Sequence, residues 1–111
     1  MSDYQSPAHD AVEHGRLDEL VDLLEAGADV EEMQDGLSLL EHAVDAEEDE
    51  VAQNGGELSV DLTAAVLAAG ADPLRNTGGW RQESARDMAV RRGHALAVEL
   101  FDAWIRDHAQ H

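Results

Sequence analysis

Four glycines, Gly15, Gly27, Gly70 and Gly93, each close a short stretch whose apolar residues recur at helical spacing, and no segment alternates apolar and polar residues as a strand does. Glycine adopts the left-handed turn that ends a helix at little cost, so each of the four reads as a helix stop. Helices this short bury apolar surface only by packing on one another. The sequence therefore predicts an all-α protein of short stacked helices.

Ser6-Pro7 is a helix start, with a hydroxyl to accept an orphan N–H and proline where its missing donor does no harm. The first helix is expected over 7–14, behind an N-terminal tail of residues 1–6. A second runs from Leu17 to Ala26 with Leu17, Leu20, Val21, Leu23 and Leu24 on its apolar side. Residues 28–36 read as an extended acidic turn. A third helix starts near Ser38 and buries Leu39, Leu40, Ala43 and Val44. The run at about 47–57, four carboxylates followed by the turn signal Gly55-Gly56 and Glu57, reads as a helix end and an exposed acidic loop. On that reading, replacing 47–54 by a Gly-Ser linker leaves stability nearly unchanged. A fourth helix is expected from about Val60 to Ala69, then a turn from Ala71 to Gln82. Ser84 caps a fifth helix ending at Arg92, and a last one runs from His94 to about His108.

At 111 residues the chain has room for one domain, 1–111. It contains 25 Asp and Glu against 7 cations, a formal charge of -18, and all seven cations are arginine. Nucleic acid and anionic membrane are therefore poor partners, because both need basic surface. With no cysteine there are no disulfides, thiolate metal sites or thiol nucleophiles. The first ten residues lack the basic flank and apolar stretch of a signal peptide, and no run is long enough to span a membrane. A cytoplasmic location is the expectation. The acid is concentrated: residues 1–60 hold 18 carboxylates and one arginine, Arg16, whereas 61–111 hold 7 carboxylates and 6 arginines. Salt adaptation would spread acid evenly, so the asymmetry also admits an acidic recognition face.

Three helix pairs of similar size invite a test for repeats. The segment from Gly15 to Val30 resembles the second helix and following turn of an ankyrin repeat, and Leu67 to Pro73 echoes its Gly-Ala-Asp end. Ser84 to Ala89 with Gly93-His94 is similar to a first helix and its Gly-His turn, and Gly36 to Leu40 to a weaker Gly-x-Thr-Pro-Leu opening. The resemblance covers about residues 8–105 and is to short bacterial ankyrin-repeat proteins. Gly27 to Gly70 spans 43 residues, against an ankyrin period of about 33. The excess is assigned to an insertion between the two helices of the middle repeat. No Thr-Pro-Leu-His motif is intact.

The resemblance implies a non-enzymatic protein-binding scaffold that uses its turn fingers and the concave face of its first helices. Carried over by position, the concave-face residues are Glu13 and His14, Asp45 in the middle repeat, and Arg91 and Arg92 in the last. The fingers supply Glu31, Glu32, Met33, Gln34 and Asp35, then Arg75, Asn76 and Trp80. One end of that face is expected to be negative and the other positive. Trp80, directly after Gly79 in a polar turn, reads either as a binding anchor or as a residue folded over the core. Trp104, at helical spacing from Leu100 and Phe101, reads as core or cap, or as part of an apolar stripe for dimer formation. The expected partner is a protein, possibly basic, with the chain itself a monomer or weak homodimer. The sharper alternative is an immunity or antitoxin-like inhibitor whose acidic half fills a basic toxin or nuclease cleft.

No cofactor or metal is expected. His9 and His14 are five apart, off the helical ligand spacing. His108 and His111 lie on a fraying last turn. The run from Asp45 resembles the start of a calcium loop, but Glu50 stands where glycine is required and Gly56 where the bidentate carboxylate belongs. No nucleophile elbow or phosphate-cradling loop occurs, so the expectation is no enzyme.

Overall fold

Ser6, Ser38 and Ser84 each accept a hydrogen bond at Oγ from the backbone N–H three residues on, at 3.2, 3.1 and 3.1 Å to His9, Glu41 and Asp87. Each thereby satisfies one of the four donors that a helix start leaves open. At Ser38 and Ser84 the carboxylate three residues on accepts the cap's own backbone N–H, completing a capping box. The computed structural model, which describes residues 6–34, 36–75 and 83–108, places helices α1 (Pro7–Glu13), α3 (Leu39–Asn54) and α5 (Ala85–Arg92) behind these caps. Helices α2 (Leu17–Glu25), α4 (Asp61–Ala68) and α6 (Ala95–His108) alternate with them. Ser38→Ala and Ser84→Ala should each cost about 1 kcal/mol, read from denaturant midpoints at unchanged m-value.

Each capped helix packs on the helix that follows it, α1 on α2, α3 on α4 and α5 on α6. The capped helices also touch in sequence, α1 on α3 and α3 on α5, while α2, α4 and α6 form a second layer behind them. Ala8, Ala11, Ala43, Ala85 and Ala89 of the capped helices are all buried in the core. Larger side chains fill the space between layers, with Val12, Leu20, Leu39, Val66 and Phe101 fully buried. Trp104 is half-buried against this core. The protein is mostly helical, as the sequence predicts, with one small exception. Met33–Gln34 (β1) and Leu37–Ser38 (β2) pair antiparallel, Met33 opposite Ser38, with β1 inside the stretch 28–36 read as an extended turn and β2 just after it.

The expected acidic loop is the main correction. Residues 47–54 continue α3 to Asn54, and the helix stops only at Gly55, whose φ of 73° suits glycine. The segment holds Ala, Glu and Gln, which favour helix, and no breaker before residue 55. Its buried stripe continues as well: Leu40, Ala43, Val44 and Glu47 fall at positions i, i+3, i+4 and i+7, and Glu47 is 3% exposed. The extra length of the middle unit is thus largely absorbed by a 16-residue helix, twice the 8 of α5. A second correction concerns Ser6. Far from belonging to a loose tail, it is buried and tethered.

Candidate functional site

The finger residues are mostly engaged inside the molecule. Glu32 accepts from Ser6 Oγ at 3.0 Å, and Gln34 Oε1 accepts from the Ser6 backbone N–H at 2.8 Å. Glu31 joins the two turns: its carboxylate accepts from the Asp72 backbone N–H at 3.1 Å and pairs with Arg75 at 3.0 Å. Met33, by contrast, is a large apolar side chain exposed on the hairpin. Asp35, Asn76 and Trp80 lie outside the described residues.

The concave-face residues Glu13, His14 and Asp45 do come together. With His42, Asp49 and Glu50 they line a groove of about 340 Å³ between α1 and α3. A second groove of about 360 Å³ shares Glu13, His14 and Glu50 and continues past Leu17 to Glu57 and Asp61. Both open at the last turn of α1, beside Glu13 and His14. His14 Nδ1 lies 3.3 Å from Asp10, at the rim.

Arg91 and Arg92 do not form the positive end expected of this face. Arg92 pairs with Asp45 and also reaches Asp49 at 3.4 Å. Arg91 pairs with Glu83 at 2.7 Å, whose hydrogen bond raises the guanidinium pKa above its ordinary value. Elsewhere, Arg86 holds the Asp102 carboxyl below the ordinary carboxylate range through a 2.7 Å hydrogen bond. Arginines 16, 75, 86, 91 and 92 all face carboxylates, so among the described residues these cations are spent on internal pairs.

Two buried polar clusters escaped the sequence reading. Glu47 accepts from Thr63 Oγ1 at 2.6 Å, from the Thr63 backbone N–H at 3.0 Å, and from His94 Nε2 at 2.8 Å. The other ring nitrogen of His94, Nδ1, accepts from the Ala97 backbone N–H at 3.3 Å, so His94 also caps α6. These partners assign the proton to Nε2, facing the carboxylate. Hydroxyl, carboxylate and imidazole are the parts of a catalytic triad, but the hydroxyl donates to the carboxylate and not to the imidazole. Thr63 and His94 are, moreover, fully buried. The cluster therefore fastens α3, α4 and the α5–α6 turn. The second cluster pairs His9 with His42, Nδ1 to Nδ1 at 2.8 Å. Sequence spacing gave no signal for either, because the partners lie 16 to 47 residues apart.

Among the described residues, no three His, Asp or Glu side chains are placed to hold a metal ion, and no helix is long and apolar enough to cross a membrane. The chain matches no family model, and no curated protein matches it significantly.

Proposed function

We propose that the chain is a small ankyrin-type repeat module, without enzymatic activity, that binds a basic segment of a partner protein in the acid-lined groove between α1 and α3. What supports the ankyrin reading is the order of packing, three helix pairs in two layers with a hairpin after the first pair, added to the Gly-Ala-Asp turns at 27–29 and 70–72. The observation that carries the binding site is the groove itself, lined by Glu13, Asp45, Asp49 and Glu50, with Arg92 bonded to Asp45 and Asp49. Relative to the sequence reading, the weight moves from the fingers to the helical face, because Glu31, Glu32 and Gln34 already hold internal partners. The inhibitor reading is a special case in which the basic segment is the rim of a toxin or nuclease cleft.

Affinity capture from a lysate of the source cells, followed by association kinetics with the recovered partner, tests this reading. Association should slow steeply as salt rises, since the Debye length shrinks from about 30 Å at 0.01 M to about 8 Å at 0.15 M. Changing Glu13, Glu50 and Glu57 to Lys should lower the association rate by about tenfold or more. The same reversal at Asp18, Asp22 and Glu25, exposed on α2 in the same acidic half, should change it little. Equal effects from the two sets, or binding indifferent to salt, would remove the groove from the mechanism.

A further inference from the structure

The first and last helix pairs are in register. Ser6 and Gly15 stand 78 positions before Ser84 and Gly93, so Ala11 corresponds to Ala89, Val12 to Val90 and Leu20 to Val98. Ala11 and Ala89 are both fully buried. Val12 and Leu20 are fully buried too, whereas Val90 is 54% exposed and Val98 is only partly covered. The middle pair sides with the first: Val44, which follows its serine cap at the same distance as Val12, is fully buried. α1 and α3 each have a later capped helix packed on them, and among the described residues α5 has none. The last pair leaves open what the earlier pairs bury.

The open positions form one patch. Ala89, Val90, Gly93, Ala95, Val98 and Glu99 line a shallow depression of about 390 Å³ between α5 and α6, with Glu99 its one charged residue. A stack of repeats ordinarily ends in a polar outer face. Trp104, which its spacing offers for a dimer stripe, is half-buried against the core and does not line this patch.

We propose that the patch is a self-association surface, on which a second copy of the chain docks its own α5–α6 end about a twofold axis. Charge selects this occupant. α5 and α6 carry four arginines and four carboxylates, whereas α1 and α2 carry six carboxylates and no arginine. Two α5–α6 ends therefore meet without net charge, and a strongly charged partner finds no complementary field there. The acidic end is a poor match for the patch, because none of the exposed large hydrophobic side chains lies on α1 or α2. Arg86, Arg91 and Arg92 are also already paired, with Asp102, Glu83 and Asp45. Among the described helices the patch thus matches itself, and an isologous contact closes at two copies. A contact built on two valines per copy is a small one, so the dimer is weak.

The inference rests on reading the helix pairs as a stack and not on the groove, and sedimentation velocity of the full chain tests it. As concentration rises from about 1 µM to about 1 mM, the chain should pass from monomer toward dimer. Association should strengthen as salt rises, because salt screens the repulsion between two chains of charge -18 while the contact itself is apolar. The groove is expected to respond in the opposite sense. Val90→Glu should weaken the dimer by about tenfold or more, since it places a charge in the contact. Leu96→Glu, at an exposed residue of α6 that does not line the patch, should change it by less than about twofold. Should either variant fail to fold, the concentration and salt dependence of the parent decides. A parent that stays monomeric, a dimer that loosens as salt rises, an open series of larger species, or equal effects of Val90→Glu and Leu96→Glu would each overturn the proposal. Whether the pairs form a stack is read separately, from the spread of exchange loss in Phe101→Ala, so a monomeric parent removes the dimer and leaves the stack standing.

Discussion

Glu47→Ala is expected to cost about 3–5 kcal/mol, because it breaks a buried charged network. Three donors converge on that side chain, from Thr63 Oγ1, the Thr63 backbone and His94 Nε2, and none has a second partner that alanine could supply. Left buried and unbonded, each donor carries a desolvation cost of about 1–3 kcal/mol. In a domain of this size the melting temperature should drop by roughly 15 °C or more. Glu47→Gln should fall between the two, because the amide offers one oxygen and one NH2 to a site that contains only donors. His94 cannot answer by moving its proton to Nδ1, since that atom already accepts from Ala97. Three residues along the same acidic run, Glu50→Ala should stay within about 0.5 kcal/mol, because Glu50 is exposed. Equal small effects at both positions would return residues 47–54 to the role of a dispensable loop. By the same reasoning, a Gly-Ser linker over 47–54 should now unfold the protein.

The contrast between Glu47 and Glu50 shows where the sequence could be read and where it could not. Helix starts were legible at Ser6 and Ser84 because a cap is local: its hydroxyl and the amide it serves are three residues apart. Helix stops were legible for the same reason. The end of α3 was misread because a carboxylate in an acidic run looks solvated, and only the fold brings Thr63 and His94 to it. The internal bonds of the finger residue Glu31 were hidden for the same reason, since it meets Asp72 and Arg75 across 41 and 44 positions. His9 was weighed against His14, five residues away, whereas its partner is His42 on the neighbouring capped helix. A usable signal did exist. Ser6, Ser38 and Ser84 each precede, by three positions, the residue whose backbone they cap, which aligns α1, α3 and α5 and would have placed His9 and His42 in adjacent units.

Phe101→Ala should cost about 3–5 kcal/mol, and the distribution of that loss distinguishes a repeat stack from a single globular core. Phe101 is fully buried, with Ala97 as its buried neighbour on α6. In a stack where each helix pair touches only the next, damage at one end opens that end alone. Exchange protection should therefore fall by more than about a hundredfold on α5 and α6, while Ala11 and Val12 on α1 keep theirs. The junction between the last two pairs bounds how local the opening can be. His94 bonds to Glu47, Arg92 pairs with Asp45, and the Arg86 backbone N–H donates to the Pro73 carbonyl at 3.0 Å. Opening α5 and α6 removes His94 from Glu47, so α3 should lose part of its protection even though Phe101 lies on another helix. A graded loss, greatest on α6, smaller on α3 and absent on α1, is the signature of the stack. Uniform loss across all six helices would mean that the chain folds as one cooperative core, and the ankyrin-type reading would then lose its physical basis.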